Sequence, residues 1–239
     1  PRGTTISKSW DQAVTDAAIT TAEQVIAKID ELAQTKPGAP DRAAKLRKFA
    51  ETFVETAFRR PVADEMKQLI IESQFKAAKT PETAVKRIVM LTLKSPQFLY
   101  PDLSDADDYQ TASRLALALW DSLPDKKLMQ SAAAGKLKTR DQIRAEAQRM
   151  ISDPRTKAKL HGFFHQWLEL ERAEGSSKDP KVFPDFTPEV FADLRESLFQ
   201  FIDEVVWSEK SDYRELLQAD YLLLNERLGK FYGHPVTGD

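Results

Sequence analysis

The stretch "TPEVFADLRESLFQFIDEVVW", from Thr187 to Trp207, decides the fold class. Its apolar residues recur at spacings of three and four, which is the period of one face of an α-helix. Thr187 is a residue type that caps helix amino ends, and Pro188 suits the first helical position, where its missing N–H costs nothing. The stretch therefore predicts a long amphipathic helix, and we expect it to be the central helix.

The same period runs through most of the 239 residues. No stretch shows the strict alternation of a half-buried strand, and no Asn-Gly or Asp-Gly hairpin turn occurs. Prolines and capping residues divide the chain into roughly nine to ten helices. We predict an all-α fold, an irregular multi-helix bundle with no sheet.

Prolines and shifts in composition predict three parts. Residues 1–40 form an N-terminal helical extension that the breaker "TKPGAP" closes, residues 41–101 a small helical subdomain, and residues 102–239 a helical domain. Within them we expect a helix from about Trp10 to Ala33, and an extended link at Phe98 to Tyr100 between two prolines. The opening "PRGTTISKSW" has no initiator Met and no signal peptide, so we expect both ends to be cut from something larger.

Composition excludes several classes of function. A formal net charge of -2 supplies no overall basic field, so we expect no nucleic-acid partner. The absence of cysteine excludes disulfides, Cys-ligated zinc, iron–sulfur clusters and the C-x-x-C-H attachment of haem. Apolar runs such as "RIVML" are far shorter than the roughly 20 residues that cross a bilayer, so we expect no membrane span. No cofactor is therefore expected within this chain.

The stretch "HGFFHQWLELE", from His161 to Glu171, holds two of the three histidines. On a helix that runs to Glu171, His161 and His165 lie one turn apart and Glu169 follows on the same face, so these three residues are candidate metal ligands. The position after the first histidine is Gly162, so the general base of an H-E-x-x-H site is missing. The alternative is that one histidine fills a half-buried boundary position with a backbone partner, because this helix must also bury Leu160, Phe163, Phe164, Trp167 and Leu168.

Two further clusters are candidate sites. The acidic residues Asp105, Asp107 and Asp108 could act as acid and base, but acidic residues at a helix start also follow from the helix dipole. Arg59 and Arg60 could grip a phosphate or carboxylate, but cations at a helix end also satisfy its last carbonyls. We favour the structural role for both clusters. No G-x-S-x-G, P-loop or G-x-G-x-x-G motif occurs.

The tryptophans on predicted helices stand among aliphatic residues. This favours core anchors over sugar-stacking platforms for Trp120, Trp167 and Trp207. Trp10 stands near a polar terminus, where sugar binding stays open.

Several phrases occur together in an order that resembles the planctomycete sequence domains. They are "FVETAFRRPV", "LKSPQFLY", "ASRLALALWDSLPD", "AAAGKL", "RMISDPR", "FFHQWLELE" and "ADYLLLNERLGKFYG". The first two resemble domain five of that series, at about residues 41–101, and the others resemble domain four, at about residues 105–233.

The resemblance implies context and no reaction. Such modules of unknown function are similar to parts of long, exported planctomycete proteins that often carry cytochrome c-like haem domains and sometimes carbohydrate-binding ones. It implies an exported or periplasmic location, haem in other domains of the parent protein, and those domains or a redox partner as binding partners. The polar and anchor residues that match its phrases, for which we favour capping and buried hydrogen bonding, are Arg59, Arg60, Asp121, Pro124, Gln166, Trp167, Asn225, Glu226 and Arg227.

Three functions remain open at this point, and whether the chain is an enzyme is one of the open questions. A non-catalytic scaffold or docking module predicts an exposed apolar patch, around Phe98 to Tyr100 or Val182 to Phe186. An enzyme domain, either an oxidoreductase or polysaccharide-active, predicts a cleft where His161 or His165 meets a carboxylate such as Glu169 or Asp121, and an arginine. A receptor for a small ligand predicts an apolar cavity between helices.

Overall fold

The computed structural model describes residues 6–100, 107–172 and 178–234, and every regular element in these ranges is helical. Thirteen helices occur there, nine of them with seven residues or more, and no strand is present in the described ranges. The predicted all-α fold is confirmed. The chain divides into two compact units, residues 1–152 and 153–239. This division does not test the predicted boundaries at residues 40 and 101, which stay a prediction.

Nine helices form the first unit. They are α1 (Lys8–Ala27), α2 (Ile29–Leu32), α3 (Arg42–Phe58), α4 (Asp64–Lys67, Gln68–Glu72 and Ser73–Ala77 in succession), α5 (Pro81–Leu93), α6 (Pro96–Leu99), α7 (Asp108–Trp120), α8 (Lys126–Ala133) and α9 (Arg140–Ile151). Two predictions of local structure are wrong. The helix expected from Trp10 to Ala33 is interrupted at Lys28, and Phe98 lies in a helical turn because the Ser95 hydroxyl caps it and Pro96 starts it.

The first core of this unit lies between α3, α4 and α5. Leu46, Val54 and Ile88 are fully buried there. The middle segment of α4, Gln68–Glu72, is a π-helical turn, and both Ile70 and Ile71 are buried in it. A π turn inserts one extra residue into a helix, which here lets two neighbouring side chains face the core.

The second core lies between α7, α8 and α9. Trp120 is its largest side chain, 3% exposed, and the indole Nε1 donates to the carbonyl oxygen of Met150 at 3.0 Å. Arg149 lies over the Trp120 ring, 5.8 Å from its centroid, and pairs with Asp125 at 2.8 Å and with Glu146 at 2.7 Å. The predicted core anchor at Trp120 is therefore present, with its polar atom satisfied.

Four helices form the second unit: α10 (Pro154–Trp167), α11 (Pro188–Val206), α12 (Glu215–Gln218) and α13 (Glu226–Phe231). The Thr187 hydroxyl accepts from the Val190 amide at 3.3 Å, so α11 begins where the sequence predicted. Val190, Ile202 and Val205 of this helix are buried. They are three of the five buried hydrophobic residues in the described part of the unit, so α11 is its central helix.

Candidate functional site

Four side chains meet between α10 and α11, around the carboxylate of Asp203. His161 Nε2 lies 2.9 Å from Asp203 Oδ1, Lys157 Nζ lies 2.7 Å from Oδ2, and the Trp207 indole donates to Oδ1 at 3.2 Å. We call these four residues the Asp203 cluster. Lys157 and His161 are one turn apart on α10, and Asp203 and Trp207 are one turn apart on α11, so each helix contributes two side chains on one face.

The Asp203 side chain is only 16% exposed. Burial alone would raise the pKa of its carboxyl, but hydrogen bonds from Lys157 and His161 outweigh burial and lower the pKa below its ordinary value. Asp203 is therefore ionised at neutral pH, and His161 Nε2 donates to it. The imidazole also stacks on Phe199, with ring centroids 4.7 Å apart, so ring orientation is fixed from two sides.

The structure does not assemble the three-residue metal site proposed from the sequence. The helix ends at Trp167 and not at Glu171, and Glu169 has a left-handed backbone with φ of 52°, so it does not continue the face of His161 and His165. Glu169 pairs instead with Arg172. Within residues 6–100, 107–172 and 178–234, no three His, Asp or Glu side chains lie close enough together to hold a metal ion. The structure joins His161 to Asp203.

The two arginines before Pro61 have structural contacts. Arg59 ends α3 with a left-handed φ of 58°, and its buried guanidinium donates to the carbonyl oxygen of Gln97 at 2.7 Å. Burial, and after it the neighbouring Arg60, lowers the pKa of Arg59. Arg60 pairs with Asp107 at 3.2 Å. Arg59 thus joins the end of α3 to a carbonyl of α6, and Arg60 joins it to the start of α7, so these contacts go to other helices and not to the last carbonyls of α3.

The acidic cluster at the start of α7 has similar roles. Asp107 caps α7 by accepting from the Gln110 amide at 2.8 Å, and Asp108 accepts from the Leu137 amide at 2.9 Å. Asp105 lies outside the described residues. The two described carboxylates thus satisfy backbone donors, which is the role that buried or half-buried polar groups most often have.

The other family-matching residues lie at helix ends and on the surface. Asn225 caps α13 by accepting from the Leu228 amide at 2.9 Å, Glu226 pairs with Lys230 at 2.6 Å, and Arg227 Nε lies 3.4 Å from Asp193 Oδ2. Asp121 ends α7 in the left-handed region with φ of 51°.

A cleft of about 510 Å³ in the first unit gives the small-ligand alternative a location. It lies between the end of α3 and the α7–α8 pair. Arg60, Pro61, Tyr109, Pro124 and Met129 are among the residues that line it. Pro124, one of the family-matching residues, therefore forms part of a cavity wall.

The opposite face of α10 is aromatic and exposed. Trp167 is 61% exposed, Phe163 53% and Leu168 43%, and the Phe163 and Trp167 rings stack at 5.7 Å. We call Phe163 and Trp167 the α10 aromatic face, whereas Leu168 follows the last residue of the helix. The prediction that this helix buries its apolar side chains is confirmed for Phe164, which is 6% exposed, and is wrong for Phe163, Trp167 and Leu168. Trp207 is also no core anchor, being 41% exposed at the end of α11.

Most large hydrophobic side chains that can be classed as buried or exposed in the described part of the second unit are exposed. Among its described residues only five hydrophobic side chains are buried, whereas eleven large ones are exposed. The described part of the first unit has the opposite balance, with 22 buried and seven exposed. The eleven are Phe163, Trp167, Leu168, Val182, Phe183, Trp207, Tyr213, Leu217, Tyr221, Leu222 and Tyr232. Val182 and Phe183 belong to the patch that the docking interpretation predicted.

Sequence reasoning missed Lys157 and Asp203 as partners of His161. The only local signals were the one-turn spacings within each helix, and these do not say which helix faces which. It also missed Tyr213, Leu217, Tyr221 and Leu222, because a short apolar run in a linker reads equally well as a buried anchor.

We predict that Gly162→Ala stabilises the second unit by about 0.5–1 kcal/mol, because alanine is the better residue in a helix interior. Gly162 lies within α10 with an ordinary helical backbone, and a Cβ added there would meet no atom within 4 Å. Chemical denaturation followed by circular dichroism measures the change. A lower free energy of unfolding for Gly162→Ala would contradict the prediction, because it would mean that the added methyl group clashes with another atom.

The fold and the site define an all-α protein with a His–Asp pair on one side of α10 and an exposed aromatic face on the other. A family model described as "PSD4: Protein of unknown function (DUF1592)" matches residues 106–234, more than half of the chain, and the chain belongs to this family. The predicted match of about residues 105–233 to domain four is thereby confirmed, whereas the resemblance of residues 41–101 to domain five stays a prediction. No curated protein and no solved structure matches the chain. No helix among the described residues is long and apolar enough to cross a membrane.

Proposed function

We propose that the chain is a non-catalytic helical docking module that holds other domains of a larger protein. The observation that carries this proposal is the balance of exposure in the second unit, with eleven large hydrophobic side chains exposed and five buried in its described residues. Exposed apolar area of this extent marks an interaction surface, because each large side chain left in water forgoes about 1.5–3 kcal/mol of burial.

The α10 aromatic face supports the same proposal. Aromatic residues are the side chains that most often contribute large binding energies at protein interfaces. Phe163 and Trp167 are stacked on each other on a 14-residue helix, and Phe164 beneath them contacts both rings, at centroid distances of 5.3 and 5.8 Å. The face is therefore already ordered before a partner arrives, so little side-chain entropy is lost on binding.

The proposed partners are other domains of the parent protein, among them a c-type haem domain or its redox partner, in an exported or periplasmic protein. The support for haem and export is the resemblance to planctomycete sequence domains. The haem would be held by those other domains, since this chain has no cysteine for its attachment.

Hydroxyl-radical footprinting of this chain and of the complete product of its gene tests the proposal. We expect Phe163 and Trp167 to be labelled severalfold less in the complete product, because a neighbouring domain covers them. Trp120, which is 3% exposed, is the internal control and stays unlabelled in both samples. Equal labelling of Trp167 in the two samples, or a gene product no longer than this chain, contradicts the proposal.

A second candidate function is an enzyme domain, an oxidoreductase or a polysaccharide-active one. The observation that favours it is the ionised Asp203 that accepts from His161 Nε2, since a carboxylate that fixes an imidazole is the arrangement of a general base. Release of reducing ends from polysaccharides, measured for the chain and for His161→Gln, tests this candidate. Turnover that disappears in the variant would establish it over the docking module.

A further inference from the structure

A second exposed apolar surface surrounds the short helix α12. Tyr213 is 73% exposed, Leu217 79%, Tyr221 43% and Leu222 65%, all within ten residues of chain. We call these four residues the α12 surface. It is formed by different elements from the α10 aromatic face, and its residue types differ as well, with two hydroxyl-bearing rings and two leucines.

The segment that carries this surface is fixed to the central helix. The Tyr221 ring packs edge-on against Phe201 at 5.5 Å, and the Ser197 hydroxyl donates to the carbonyl oxygen of Leu223 at 2.6 Å. At the other end the Ser208 hydroxyl donates to the Val205 carbonyl and accepts from the Ser211 amide at 3.0 Å. These contacts on both sides of α12 hold the segment in place, and with it the four apolar side chains.

Carboxylates outnumber cations in the segment that carries the α12 surface. Five acidic residues and two basic ones lie between positions 204 and 222. Of the two basic residues, Arg214 is engaged by Asp212. Partial desolvation raises the pKa of the Tyr221 hydroxyl, and the negative charges of Glu204 and Glu215 raise it further. The four apolar side chains thus belong to a segment of net negative charge, and we call its carboxylates the acidic rim.

We infer that the α12 surface binds a cationic polypeptide segment, one that presents apolar side chains between lysines or arginines. This inference rests on the proposed docking function and names the chemistry of one partner. Leucine and tyrosine side chains offer apolar area for burial, while the acidic rim attracts positive charge and repels anionic surfaces. A lipid surface of negative charge or an acidic peptide would meet uncompensated repulsion here.

A labelled amphipathic helical peptide made of leucine and lysine is the probe, and fluorescence anisotropy is the measurement. We expect the lysine peptide to bind the chain, and its affinity to fall about tenfold when monovalent salt rises from about 50 to about 300 mM, because the attraction is screened. The same peptide with glutamate in place of lysine is expected not to bind.

Variants locate the binding. Tyr213→Ser combined with Leu217→Ser is expected to weaken the lysine peptide about tenfold or more, since both side chains are highly exposed anchors. Glu204→Gln combined with Glu215→Gln is expected to weaken it and to reduce its salt dependence. Phe163→Ser combined with Trp167→Ser is the matched control, because it removes a similar exposed apolar area from α10, and it is expected to keep the affinity.

Three results would overturn the inference. One is equal binding of the glutamate peptide, and another is unchanged affinity in the α12 variants. The third is a chain that sediments as a dimer, becomes monomeric in the Tyr213→Ser, Leu217→Ser variant and ignores the peptide, because the occupant is then a second copy. None of these results changes the expected footprinting of Trp167. The docking function and the cationic partner are therefore tested by separate experiments.

Discussion

The Trp120→Ala variant is expected to lose about 3–5 kcal/mol of unfolding free energy, the range of a buried aromatic side chain truncated in a core. The indole is 3% exposed and forms the centre of the core between α7, α8 and α9. Truncation also leaves the carbonyl oxygen of Met150 without its indole donor and removes the ring under Arg149. Urea denaturation followed by circular dichroism at 222 nm measures the loss.

Trp167→Ala is the matched control for Trp120→Ala. It removes the same side chain from a helix where 61% of the residue is exposed, so we expect a change within about 1 kcal/mol. Trp120→Phe keeps an aromatic ring but loses the Nε1 donor and part of the indole volume, so we expect a cost of about 1–3 kcal/mol, below that of Trp120→Ala. A loss for Trp167→Ala as large as that for Trp120→Ala would show that the α10 aromatic face is covered within the chain itself.

The Asp203→Ala variant is expected to destabilise the second unit by about 2–3 kcal/mol at neutral pH, as expected for hydrogen bonds to a half-buried charged group. The carboxylate accepts from His161 and Trp207 of two helices and pairs with Lys157, so its removal breaks the polar link between α10 and α11. Amide hydrogen exchange of these two helices measures the loss. Glu204→Ala is the control, because Glu204 is the next residue of the same helix and is exposed.

The stabilisation by Asp203 depends on pH with a definite sign. Its folded-state pKa lies below the ordinary value, so the unfolded chain binds more protons in the acidic range. The contribution is therefore complete above the unfolded pKa of about 4 and is lost as pH falls through the lower folded-state pKa. We expect the difference between wild type and Asp203→Ala to shrink in acid. A difference that grows towards low pH would contradict the ionised Asp203 cluster.

The titratable side chains of the second unit do not by themselves indicate a function. His161 and Lys157 of α10 both contact Asp203 of α11, so these titratable groups join two helices. The second unit is distinguished by its exposed apolar side chains, and catalytic sequence motifs give no information about such exposure. The α10 aromatic face and the α12 surface are the places where partners are expected to bind.

The sequence by itself determined the helical class, most helix boundaries and the core at Trp120. These follow from local rules, since a helix is set by the period of its apolar residues and by the caps at its ends, as at Thr187 and Thr80. Only the tertiary structure decided which apolar face is covered. Phe163 and Phe164 are neighbours of one type, yet one is 53% exposed and the other 6%.

The Asp203 cluster also depended on the tertiary structure. His161 and Asp203 are 42 residues apart, and their pairing requires two helices to meet in one register, which no local pattern specifies. The left-handed backbone of Glu169 likewise ended the predicted metal face where helical spacing alone would have extended it. Local periodicity thus fixes the elements, while burial and long-range polar pairs arise only when those elements pack against each other.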